Sequence, residues 1–173
     1  MQTLARSGKP VEGIHTYGGQ QVTIIEGLDL SRIKAKLMEQ APEGKGWTQA
    51  QADEAELWYR RYLIVIAKYP DFVHVPNEPI DAFWHQHILD TRAYARDCEA
   101  VFGRFMHHYP YFGLDGDADE RDKAFEETNR LYHIEFGVDC RSMQSFFGAS
   151  TAPDCNNGGQ NCGGSGCKNS DGG

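Results

Sequence analysis

Between Thr48 and Tyr69 the chain reads TQAQADEAELWYRRYLIVIAKY. Its first half is polar and acidic and its second half is apolar on nearly every side. Thr48 is a natural N-cap, acidic residues suit the positive end of a helix, and Pro70 stops the run, so the spacing predicts one long helix. A helix that is apolar all round belongs in the middle of a domain. Upstream, DLSRIKAKLMEQ (29–40) places Leu30, Ile33, Leu37 and Met38 on one helical face behind an Asp29 cap. Before it, QQVTII (20–25) reads as a short strand. Downstream, HVPNEP (74–79) is an extended or turn segment whose last proline suits a first helical turn. The following helix is predicted over 79–102, ending at Gly103. RFMHHYPYFG (104–113) is broken by Pro110. A last helix over 118–136 carries Phe125, Leu131, Tyr132, Ile134 and Phe136 and ends at Gly137. The class is therefore all-α or nearly so, a small bundle of about four main helices.

Composition adds a boundary. Residues 148–173 hold eight glycines, four asparagines and three cysteines with almost no apolar surface, too little to offset the entropy of ordering a chain. The expected division is a helical His-rich domain over 1–147 and a flexible Gly/Asn/Cys-rich tail over 148–173. The chain has 173 residues, 40% hydrophobic, with a formal charge of −8. That charge and the scattered Lys and Arg argue against nucleic acid as a partner. The longest apolar run, YLIVIA (62–67), is far short of the roughly 20 residues of a membrane span, which argues against a membrane as well. The N-terminus lacks a signal-like apolar stretch and five cysteines is an odd number, so a cytoplasmic protein with reduced thiols is the expectation.

Candidate chemistry concentrates in histidines. Four of the seven lie in two short segments, WHQH (84–87) and HHYPYFG (107–113). On an unbroken helix Ile80, Phe83, Trp84, His87, Thr91, Tyr94, Cys98, Val101 and Phe102 fall within about 60° of one direction, which makes His87 part of the buried face. His85 lies roughly 160° away, near Asp81, so the two imidazoles cannot share an ion on a straight helix. Taken alone, each has a structural reading: His87 as a hydrogen-bonded core residue, His85 as a surface residue beside Asp81. The second cluster changes that balance, because a reversal at Gly103 brings residue 107 or 108 back toward the helix. Neutral imidazole binds Zn, Cu or Fe through one nitrogen while a carboxylate orients the other. Asp81, Asp90 and Asp97 are available, with Asp90 best placed at three residues from His87. Cys98, eleven residues beyond His87, lies about 16 Å along a straight axis and is a partner for His107 or His108 instead.

The run VPNEPIDAFWHQHILDTRAYARDCEAVFG followed by HHYPYFG resembles the domain of glycine-rich domain-containing protein-like proteins of plants and bacteria. The likeness covers about forty residues well, with weaker hints in WYRRYLIVIAKYP. It implies that Trp84, His85, His87, Tyr94, Asp97 and Cys98 belong to a shared pattern, and it supplies no chemistry.

Other signals are weaker. DGDADERDKAFE (115–126) has the acidic positions of a calcium loop but Glu120 where the turn glycine belongs, and an acidic helix start accounts for it more simply. His133, among apolar residues, reads as structural. Cys155, Cys162 and Cys167 match no zinc-knuckle spacing, although three thiols on a tether suit a soft ion. There is no GxSxG and no P-loop. The leading expectation is a metal-binding protein using His87 with His107 or His108, with His85, Asp90 and Cys98 as further ligand candidates. It would hold Zn, Cu or Fe as a carrier or a metalloenzyme. The competing expectation is a non-catalytic adaptor, with Trp84, Tyr109, Tyr111 and Phe112 lining a groove for a protein partner and the tail as its tether.

Overall fold

A computed structural model describes residues 19–147. The expected tail, its three cysteines and His15 lie outside them. The elements are α1 (Gly19–Glu26), α2 (Ser31–Met38), α3 (Gln49–Lys68), α4 (Glu78–Leu89), α5 (Thr91–Phe102) and α6 (Ala118–Phe136), then a 3₁₀ turn (Cys140–Met143) running into a short α7 (Gln144–Phe147). Strands are absent among the described residues, so the fold is all-α with more helices than the four expected. No helix among them is long and apolar enough to cross a membrane.

α3 is the axis of the bundle, packed against α1, α2, α4 and α6. Its start is a capping box: Thr48 Oγ1 accepts from the Gln51 amide and the Gln51 side chain accepts from Thr48 N–H. Trp58, Tyr59, Tyr62, Leu63 and Val65 are buried. Each such side chain contributes about 1.5–3 kcal/mol relative to exposure. Their polar atoms are satisfied, the Trp58 indole N–H by Glu54 on the same helix at 2.7 Å and the Tyr59 and Tyr62 hydroxyls by groups elsewhere in the chain. Tyr62 Oη donates to the His74 carbonyl at 3.1 Å, and Tyr132 Oη of α6 donates to the Trp58 carbonyl at 3.3 Å. Arg60 donates to the carbonyls of Ile25, Glu26 and Leu28, satisfying acceptors that α1 leaves open at its C-terminus.

Three local expectations are corrected. Residues 20–25 form α1 and not a strand: with no neighbouring strand to pair with, a helix is what satisfies their backbone groups, while Ile25 buries its side chain in the core. α2 is preceded by Leu30 as its cap residue, and the Asp29 carboxylate instead accepts from the Ser31 amide and hydroxyl. The predicted helix over 79–102 is two helices. At Asp90 the backbone leaves helical geometry (φ −81°, ψ 70°), and the Asp90 carboxylate caps the new start by accepting from Ala93 N at 3.3 Å. Asp90 is thus a helix cap, the ordinary use of Asp at that position.

This break sets the shape of the whole region. On a straight helix ten residues span about 15 Å, yet His87 Nε2 lies 3.2 Å from Asp97 Oδ2 and Trp84 Nε1 lies 2.9 Å from Tyr94 Oη. The chain turns at Asp90, so that α5 packs against α4 instead of continuing it. α5 then ends at Gly103, whose positive φ of 65° is the left-handed turn foreseen there, and α6 ends the same way at Gly137 with φ 67°. α6 begins at Ala118, inside the stretch with acidic calcium-loop positions, so that stretch is not an EF-hand loop; Asp119 and Glu120 occupy the first helical turn instead. His133 is exposed on α6, so its expected structural role is not met.

Candidate metal centre

α4 carries Asp81 and His85 one turn apart, so both project from the same partly exposed side of the helix. Beyond Gly103 the chain returns over α4 and delivers His108. His85 Nε2 lies 3.3 Å from His108 Nε2, His108 Nε2 lies 3.2 Å from Asp81 Oδ1, and His85 Nε2 lies 3.6 Å from Asp81 Oδ2. Among the described residues this is the group of three His, Cys, Asp or Glu side chains whose ligand atoms all lie within 4.8 Å of one another. The ring of Trp84 packs edge-on against His108 with centroids 4.6 Å apart, and Trp84 is itself buried. The His108 side chain is 15% exposed and that of His85 49%, so the cluster is backed by the core on one side and open on the other.

The separations fit one ion. Ligand atoms about 2.05 Å from a tetrahedral zinc are about 3.3 Å apart, whereas adjacent ligands of an octahedral ion at the same distance would be closer, about 2.9 Å. Without an ion, two neutral rings that each carry Nε2–H can direct them at the two Asp81 oxygens, although the 3.6 Å from His85 to Oδ2 is longer than a hydrogen bond.

His87 is elsewhere. It is 2% exposed in the core, with Nδ1 at 3.0 Å from Tyr59 Oη and Nε2 at 3.2 Å from Asp97 Oδ2. Asp97 also accepts from Arg96 Nε at 2.9 Å. A carboxylate only accepts, so Nε2 carries the ring proton and Nδ1 accepts from the Tyr59 hydroxyl. Burial pushes the His87 pKa below its ordinary value of 6.5 even though Asp97 works against that, and burial pushes the Tyr59 hydroxyl well up. Both ring nitrogens of His87 are engaged with protein partners, so the expected pairing of His87 with His107 or His108 is replaced by a pairing of His85 with His108.

The remaining candidates fall outside the cluster. His107 is exposed, its ring against Phe105 at 5.0 Å. Asp90 caps α5. Cys98 is buried, and its thiol bonds to the Tyr94 side chain and the Met106 backbone while burial raises its pKa. Its 16 Å separation from His87 does not apply once the helix breaks. Of the aromatics considered for a partner groove, Trp84 is buried, Phe112 half-buried, and Tyr109 and Tyr111 are 60% and 59% exposed. Asp81 is the one member of the cluster that the sequence suggests only as an orienting group. Its spacing of four residues from His85 was the available signal.

A family model described as UCP032817-like matches residues 20–146, a span that contains every described helix end to end except the first residue of α1 and the last of α7. No curated protein and no solved structure matches the chain.

Proposed function

The chain belongs to the UCP032817-like family, and we propose that this member is a metal-binding helical protein that holds one divalent transition ion on Asp81, His85 and His108. The single observation behind the reading is the convergence of two imidazole nitrogens and a carboxylate from segments more than twenty residues apart: the nitrogens lie 3.3 Å from each other, that of His108 3.2 Å from Asp81 Oδ1 and that of His85 3.6 Å from Asp81 Oδ2. Imidazole and carboxylate together suit Zn, Cu and Fe, and the 3.3 Å between the two ring nitrogens is compatible with tetrahedral Zn²⁺. Three protein ligands leave one tetrahedral position for water or another exogenous ligand on the open side. Such an ion supplies Lewis acidity and a water acidified to about pKa 7. The residues contribute the rest: α4 fixes two ligands one turn apart, and Trp84 holds the ring of the third. A carrier and a water-activating metalloenzyme both use such a set, and the rate at which the ion leaves separates them.

The test is elemental analysis of the full-length protein after zinc loading and desalting. Wild type and His107→Ala are expected to retain one equivalent, and Asp81→Ala, His85→Ala and His108→Ala to lose most of it. Wild type that retains no stoichiometric metal ends the reading. Retention by the three ligand variants with loss in His107→Ala would move the site.

A further inference from the structure

Residues 104–110 connect α5 to the turns before α6, and among the described residues no backbone–backbone hydrogen bond ties this stretch to the rest of the molecule. The position of His108 therefore depends on side-chain attachments. One side chain lies at the centre of them. Tyr94 of α5 is 1% exposed, its hydroxyl accepts from Trp84 Nε1 at 2.9 Å and donates to the Met106 carbonyl at 2.6 Å. Trp84 is the residue before His85, and Met106 lies two residues before His108. A single hydroxyl thus joins the helix that carries Asp81 and His85 to the strand of chain that carries His108. The Tyr94 ring packs edge-on against His87 at 5.1 Å and Phe105 at 5.2 Å, which fixes the hydroxyl from behind.

We infer that the Tyr94 hydroxyl is the positioning group of the metal centre, setting the distance between the His85 and His108 imidazoles through Trp84 and Met106; the inference rests on the metal reading above. Burial pushes the Tyr94 pKa well up, so the hydroxyl keeps the proton that it donates to Met106. Without that bond, the 104–110 stretch keeps a thiol contact from Cys98 to the Met106 backbone, the packing of Phe105, Met106 and the His108 ring, and the His108 contact to Asp81, a weaker and less directional set. Two ligands held by a helix would remain, and the third would sample many positions, so that affinity would fall although no ligand had been removed.

Tyr94→Phe keeps the ring and removes the hydroxyl. Tyr132→Phe is the control: Tyr132 is equally buried and bonds the Trp58 carbonyl at 3.3 Å, but does not join the two ligand-bearing segments. In the full-length protein, zinc affinity measured by competition with a chromophoric chelator is expected to weaken about 10- to 100-fold in Tyr94→Phe, the range of outer-shell partners of metal ligands, and to stay within about twofold in Tyr132→Phe. A second readout needs no metal. The nuclear Overhauser contact between the Trp84 indole and the His108 ring in metal-free protein is expected to be lost in Tyr94→Phe and kept in Tyr132→Phe. If wild type binds no zinc, the metal reading fails and the ring contact alone decides the role of Tyr94. A Tyr94→Phe protein that keeps both the ring contact and the wild-type zinc affinity overturns the inference. So does equal weakening in both variants, which would mark a general loss of stability.

Discussion

The two histidines of WHQH are two positions apart and live under opposite rules. His85 is half exposed beside Asp81. His87 is enclosed, its proton directed at Asp97 and its other nitrogen taken by Tyr59. Neutrality of His87 has a consequence for stability. Its pKa in the folded state lies below the ordinary 6.5, chiefly because burial disfavours the charged ring, and His74 is shifted the same way for the same reason. The unfolded chain therefore takes up protons first as pH falls through 6.5, and acid draws the equilibrium toward it. The stability due to these rings is complete above 6.5 and lost as pH falls toward and through their lowered folded values. Urea unfolding of metal-free protein between pH 7.5 and 5 is expected to show this decline, with a shallower one in His87→Gln. That variant should also lose about 1–3 kcal/mol at pH 7.5, because Tyr59 is left without its acceptor. Parallel pH profiles for the two proteins would contradict the assignment of the neutral ring to His87.

At the scale of elements, the helix starts differ in what else they hold. Thr48 caps α3 at the surface and touches little beyond its own helix. Asn77 caps α4 by accepting from Ile80 N at 3.1 Å, and its amide also donates to the Cys140 carbonyl at 3.0 Å, tying α4 to the 3₁₀ turn after α6. It is 7% exposed, so its loss removes a buried hydrogen-bonded link as well as the cap. Chemical denaturation should show Asn77→Ala costing about 2–3 kcal/mol and Thr48→Ala about 1 kcal/mol. Equal costs would mean that the link to Cys140 is worth nothing. The same kind of cap at Asp90 explains why one predicted helix became two. Asp followed by Thr is a start signal in the middle of an otherwise helical run, and on a wheel drawn through it the buried positions still fall in line, so periodicity alone does not expose the break.

At the scale of the molecule, an ion on the proposed site would join α4 to the segment beyond α5 and should be felt in global unfolding. An ion bound only by the folded state stabilises it by about 2.7 kcal/mol when free at one hundred times its dissociation constant. Thermal melts are expected to rise on zinc addition and return to the metal-free value with a chelator in wild type and His107→Ala, and to be insensitive to both in His85→Ala. Chelator-insensitive melts of zinc-loaded wild type would favour the adaptor reading, in which Tyr109 and Tyr111 offer exposed aromatic surface.

The sequence by itself determined the helical class, the central place of α3, the caps at Thr48, Gly103 and Gly137, and the burial of His87 against the exposure of His85. These are local properties, set by periodicity and by the conformational preferences of single residues. Only the tertiary structure decided which histidines meet. His108 reaches His85 across 23 positions and Asp81 across 27. That meeting depends on the direction of two chain turns, at Asp90 and Gly103, and a turn's direction is fixed by what the two arms pack against once folded.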